Sequence, residues 1–232
     1  SVPREGIPTE GIDQLDARDV AYADKLGFVV KLLAVSQLIE TEPGTDHQHG
    51  RQLLDVRVQP TLLPRSHPLA GVNGVFNAIL VEGDPVGQVM FYGPGAGAGP
   101  TASAVVADIL NIAGIRQATA PTDAAGGPVG IDPLLAAGSW RQCRLIDGAR
   151  TTHRNYVRLR TSDQAGVIGR IGTCFGQAGV SIQSIVQFEA DSDAAEIVVI
   201  THEVLEAHFR QALDAIAALP EVQGVAACLR TL

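Results

Sequence analysis

From Tyr156 to Leu229 the apolar residues change period in a fixed order. Alternation over Tyr156 to Thr161 gives way to helical spacing over Val167 to Ala178. Two strand-like runs follow, Val180 to Phe188 and Glu196 to Thr201. A second helical stretch, Val204 to Leu219, leads into a last run, Val222 to Leu229. The order is βαββαβ. Right-handed crossovers put both helices on one face of a four-stranded antiparallel sheet, a ferredoxin-like arrangement. The other face then needs a cover, or it becomes an association surface.

The chain has 232 residues, 46% of them hydrophobic and 18% charged, enough to bury a full core in one large domain or two small ones. Composition divides it into 1–119, rich in long apolar segments, an irregular linker at 120–153, and the βαββαβ region at 154–232. In the first part, Asp13 to Leu26 places Leu15, Val20, Ala23 and Leu26 near one helical face, and Gly27 stops the helix. Phe28 to Val35 and Leu53 to Pro60 read as strands joined by a hairpin connection, Glu40 to Arg51. Ala78 to Val81 and Val86 to Tyr92 read as two more, around the turn Glu82-Gly-Asp-Pro85. A helix is expected from Ala102. The fold class is α+β: a mixed-sheet region followed by the ferredoxin-like domain.

Lys+Arg 17 against Asp+Glu 25 gives a net charge of −8, so the electrostatic attraction that nucleic acid requires is missing. No apolar run approaches the roughly 20 residues of a membrane span, and the first residues lack signal-peptide character. No nucleic acid, no membrane and a cytoplasmic location are expected. Cys143, Cys174 and Cys228 are odd in number and widely spaced, which argues for free thiols. Asp46, His47 and His49 sit at a hairpin tip without a distant third ligand, so no metal site is expected. His67 precedes Pro68 and reads as a loop-positioning residue.

Two features carry candidate chemistry. The run Phe91-Tyr-Gly-Pro-Gly-Ala-Gly-Ala-Gly-Pro-Thr101 lies between a strand and a helix, where phosphate cradles sit, but its spacing is GxGxG rather than GxGxxG. Pattern alone leaves a tight turn and a ligand cradle both open. Lys31 interrupts the apolar run VVKLLA, where an ammonium is costly to bury without a partner. It reads either as a substrate-binding or proton-transferring lysine or as a snorkelling strand residue.

The stretches GIDQLDARDVAYADKLGFVVKLLAVSQ and VQPTLLPRSHPLAGVNGVFNAILVEGDPVGQVMFYGPGAGAGPTASAVVADI resemble the C-terminal half of the catalytic region of bacterial homoserine dehydrogenase. The tail RNYVRLRTSDQAGVIGRIGTCFGQAGVSIQSIVQ resembles the ACT domain that such enzymes append. The resemblance implies NAD(P)H-dependent interconversion of aspartate semialdehyde and homoserine, on the route to threonine, methionine and isoleucine. It implies that Gly93, Gly95 and Gly97 approach the cofactor and that Lys31 belongs to the active site. It also implies an amino-acid effector, threonine foremost, at Asp163, Ala165, Gly166, Val167 and Ile168. Ser181, Ile182 and Gln183 would close the pocket from a partner's side, so at least a homodimer is expected. Ala165 stands where the family's loop carries proline, and a simple helix N-cap by Asp163 is the alternative for that loop.

The family's nucleotide-binding domain has no counterpart in these residues. The chain is therefore expected to be a C-terminal fragment, inactive alone and binding no cofactor by itself. The rival reading is a stand-alone amino-acid-sensing or interaction module without catalysis.

Overall fold

The computed structural model describes residues 2–13, 15–40, 52–118, 144–189 and 194–232. The connection bearing Asp46, His47 and His49, and most of the linker with Trp140 and Cys143, lie outside them. The chain divides into two compact units, Ser1–Ala70 with Gln142–Leu232, and Gly71–Arg141. These cuts follow long-range pairing rather than the composition shifts at 119 and 153.

In the larger unit, helix α1 (Ala17–Lys25) starts four residues later than apolar spacing predicts. Its capping residues decide this. The Asp16 carboxylate accepts the Arg18 N–H at 3.0 Å, and the Asp16 N–H donates to Asp19 at 3.2 Å, closing a capping box. Strands β1 (Phe28–Glu40) and β2 (Gln52–Pro64) pair antiparallel along their whole length. They outrun their expected runs because the ladder also takes in Ser36 and Gln37 on β1 and continues past Pro60 through Thr61 to Pro64 on β2.

In the smaller unit, β3 (Phe76–Gly83) and β4 (Gly87–Pro94) form a hairpin, with the rings of Phe76 and Tyr92 stacked at 4.9 Å. Helix α2 (Ala98–Ala118) follows, beginning four residues earlier than expected. Gly99 and Pro100 occupy its first turn, where an N–H has no helical partner and proline is tolerated. Its stretch Ala98–Arg116 corrects the expectation about apolar runs: 19 residues with mean hydropathy 1.3 are long and apolar enough to cross a membrane by length and composition. Alanines and glycines dilute the apolar residues and hide this length from a scan for unbroken runs. Val105, Ile109 and Ile112 on α2, like Ile79 and Phe91 on the hairpin, are exposed.

The chain returns to the larger unit through β5 (Arg144–Leu145), parallel to β2. Then come β6 (Thr152–Ser162), α3 (Val167–Gln177), β7 (Ile182–Glu189), β8 (Ala194–Thr201), the two-residue β9 (Val204–Leu205), α4 (Glu206–Ala217) and β10 (Val222–Thr231). Strands β10, β6, β8 and β7 lie side by side and antiparallel, the expected βαββαβ order. Near its end β10 also pairs parallel with β2, Arg230 opposite Thr61, so one mixed sheet runs β1-β2-β10-β6-β8-β7.

Alternation sorts the strand residues onto two faces. Val157, Leu159, Ile197 and Val199 meet α3 and α4, which supply Val167, Ile171, Phe175, Phe209, Ala212 and Ile216. The helical spacing of four in Val167, Ile171 and Phe175 makes one buried stripe. Tyr156, Val198, Ile200 and Leu229 point the other way, and α1 covers them with Ala23 and Tyr22, joined by its C-cap Leu26. The cover that the βαββαβ sheet needs is thus supplied by the first helix of the chain.

Candidate functional site

Lys31 stands opposite Thr61 in the β1–β2 ladder, half-buried. Opposed residues share a face, so Lys31 lies on the face that carries the buried Thr61, Gln59, Arg57 and Asp55 of β2. The apolar run that flagged Lys31 thus has a polar partner strand.

The three glycines of the β4–α2 turn differ in what requires them. Gly97 has φ +127°, a backbone that side chains rarely adopt, immediately before α2. A Cβ on Gly95 would lie 1.7 Å from Nδ2 of Asn77 on the neighbouring strand. At Gly93 a Cβ would meet nothing within 4 Å. Packing therefore explains Gly95, conformation explains Gly97, and Gly93 is left as the open approach to the backbone.

The loop between β6 and α3 brings Asp163, Ala165 and Gly166 into one exposed turn. Asp163 does not cap the helix. The N-cap is Gly166, at φ +90° and without a side-chain cap bond, while the Asp163 carboxylate accepts from Gln187 Nε2 of β7 at 3.0 Å. Val167 is 5% exposed and Ile182 packs on the same core, so at these two positions only backbone faces the loop side. Ile168 is exposed, as are Ser181 and Gln183. Gln183 accepts a hydrogen bond from Arg154 Nη2. Gln187, further along β7, is the contact that the sequence reading missed.

A second missed constellation joins α1 to the βαββαβ sheet. Arg158 Nε and Nη2 donate to Asp19 Oδ1 and Oδ2 at 2.7 and 3.0 Å, and its Nη1 donates to Glu196 Oε1 at 2.8 Å. Glu196 also accepts from Arg18 at 3.0 Å and from the Tyr22 hydroxyl at 2.8 Å, and Tyr156 donates to Asp19 at 3.2 Å. Burial opposes the charge on Glu196, yet the bonds from Tyr22 and the two arginines hold its carboxyl below the ordinary range. Burial, with Asp19 beside it, pushes the Tyr156 hydroxyl far up. An arginine inside YVRLR and a glutamate abutting IVVI were the signals available in the sequence.

Residues 1–110 match the family model for homoserine dehydrogenase, and 155–221 match that for the ACT domain. The homoserine dehydrogenase of Synechocystis sp. is 46% identical over 231 residues, covering 100% of this chain and 50% of that protein. The chain is similar to homoserine dehydrogenases. The Neisseria gonorrhoeae homoserine dehydrogenase is 39% identical, over 92% of this chain and 46% of its own length. A solved homoserine dehydrogenase from Thiobacillus denitrificans superposes with a TM-score of 0.77 at 33% identity, over 98% of this chain and 49% of that one. The chain spans about half the length of the relatives it matches. The ACT match, 155–221, runs from β6 through α3, β7, β8 and β9 to the end of α4.

Proposed function

We propose that this chain serves as the ACT-bearing half of a homoserine dehydrogenase, and that NAD(P)H-dependent interconversion of aspartate semialdehyde and homoserine draws on further residues of a longer polypeptide. The observation that carries the proposal is the 46% identity sustained along the whole chain against half of a homoserine dehydrogenase.

In this reading Lys31 binds substrate or moves its proton. Its half-buried place beside polar strand residues supports that role, since a charge there is oriented by its surroundings. The turn at Gly93, Gly95 and Gly97 approaches the cofactor, which fits the open space at Gly93 and the helix start after Gly97. NAD(P)H supplies the hydride; the residues of this chain orient and exclude water. Threonine is the effector at the Asp163 turn, where Gly166 leaves the start of α3 without a side-chain cap. A partner subunit's β7 region closes that pocket, and the exposed apolar residues of β3, β4 and α2 support association into at least a dimer. The setting is the cytoplasm.

The test is NADPH-dependent turnover, measured on the chain alone and on a polypeptide in which a homoserine dehydrogenase nucleotide-binding region precedes it. Turnover is expected only in the second, and Lys31→Met should lower its kcat at least a hundredfold with unfolding unchanged. Turnover by the chain alone overturns the assignment of a half-enzyme. Full activity of Lys31→Met overturns the role of the lysine. In parallel, calorimetry should show threonine binding that Asp163→Ala weakens.

A further inference from the structure

Within the larger unit, a cavity of about 190 Å³ opens between β2, the segment Gly6–Glu10, and the α4 side of the ACT sheet. Its volume equals that of about six liquid water molecules, the scale of a metabolite with six to eight heavy atoms. Its lining mixes apolar side chains with charged and amide ones. Arg57, 8% exposed, is paired with Asp55. Arg230 Nη1 lies 2.6 Å from Glu206 Oε2, and Arg210 Nε donates to Glu206 Oε1 at 2.7 Å. Glu10 lies on the rim.

Gln59 is the decisive residue. It lines the cavity, is 6% exposed, and its Nε2 has no hydrogen-bond partner. A buried donor left unmet costs about 1–3 kcal/mol, and an acceptor oxygen in the cavity removes that cost. The charges define the rest of the ligand. Three guanidiniums, Arg57, Arg210 and Arg230, and two carboxylates, Asp55 and Glu10, line the cavity, and Glu206, behind the lining, pairs with Arg210 and Arg230. His153, whose Nε2 lies 2.7 Å from the Thr151 hydroxyl, adds no charge at neutral pH because burial and the nearby Arg230 and Arg57 lower its pKa to about 4. The lining together with Glu206 behind it is neutral and presents both signs to the cavity, which matches a ligand built the same way. A simple anion or a simple cation leaves one sign in excess.

We propose that this cavity binds a small α-amino acid as the zwitterion, with its carboxylate on Gln59 and Arg57 and its ammonium toward Asp55 and Glu10. Neither the Asp163 turn nor Lys31 lines it, so the site is separate from both the effector turn and the proposed substrate lysine.

The experiment is equilibrium dialysis of the whole chain with radiolabelled glycine, L-serine and L-threonine, with acetate, phosphate and ethylamine as competitors. Saturable binding of at least one amino acid is expected. Gln59→Leu, which removes no existing hydrogen bond of Nε2, should weaken it at least tenfold, while Asp163→Ala and Lys31→Met leave it within twofold. The unfolding midpoint of Gln59→Leu, expected to match that of the parent, serves as the control. Saturation by none of the three amino acids overturns the proposal. So does binding that Gln59→Leu spares and Asp163→Ala or Lys31→Met removes. Acetate or phosphate competing as strongly as the amino acid marks a plain anion site and overturns it as well.

Discussion

Arg158 and Asp19 meet through two parallel hydrogen bonds, 2.7 and 3.0 Å, with both residues nearly free of solvent contact at 3% and 0% exposure. One comes from the first helix and the other from the first strand of the ACT sheet, so the pair fastens α1 to the sheet face that the ACT helices leave bare. Removing one partner strands a buried charge. Asp19→Asn or Arg158→Met should therefore lower stability by about 3–5 kcal/mol in denaturant unfolding. A double replacement by apolar residues should recover part of that loss, because no charge is left unpaired.

His153 makes stability depend on pH in a window of its own. Burial, followed by Arg230 and Arg57, brings its folded pKa to about 4 from an ordinary 6.5. Protons then bind the unfolded chain more readily, so the contribution is fully present above about pH 6.5 and is lost as pH falls toward 4. The difference is on the order of 3 kcal/mol. Unfolding measured from pH 7 to 4.5 should show a decline that His153→Gln flattens. Glu196 and Glu206, held below the carboxylate range, lose their contributions at lower pH than this window.

Gly166→Ala forces a side chain into the left-handed region at φ +90° and should cost about 1–2 kcal/mol in thermal unfolding. Gly93→Ala meets open space and should change stability by less than about 0.5 kcal/mol. If Gly93 approaches the cofactor in the intact enzyme, the second substitution should still raise the KM for NADPH, separating the ligand role from the structural one.

Phe175 is fully buried between α3 and the sheet, and Phe175→Ala should cost about 3–5 kcal/mol. Ile168→Ala, one residue past the helix start and 39% exposed, should be nearly neutral for folding. A weakened threonine affinity in Ile168→Ala alone would support the effector turn.

The ACT region was legible because its information is local. Val167, Ile171 and Phe175 repeat every four residues, and Val157 and Leu159 alternate with residues of the opposite sheet face, so period alone separates the main helices from the main strands. Boundaries failed where side-chain chemistry outweighs apolar spacing. Asp16 and Asp19 set the start of α1 through a capping box, and Gly97 sets the start of α2 through its backbone. The glycine turn was located by position, but the Asn77 side chain that excludes a Cβ at Gly95 comes from the neighbouring strand and leaves no trace nearby in sequence. The same holds for Asp163, whose partner Gln187 is a strand away. The cavity around Gln59 was beyond reach because five separate segments build it.

The short parallel seam between β2 and β10 orders the assembly of the larger unit. Arg230 and Thr231 pair with Thr61 and Leu62, and the Leu232 N–H reaches the Leu62 carbonyl, across most of the chain's length. The β1–β2 hairpin and the βαββαβ sheet can each gather from neighbouring segments, whereas joining them requires closing a very long loop. Of the ladders in this unit the seam closes the longest loop, and so carries the largest closure cost.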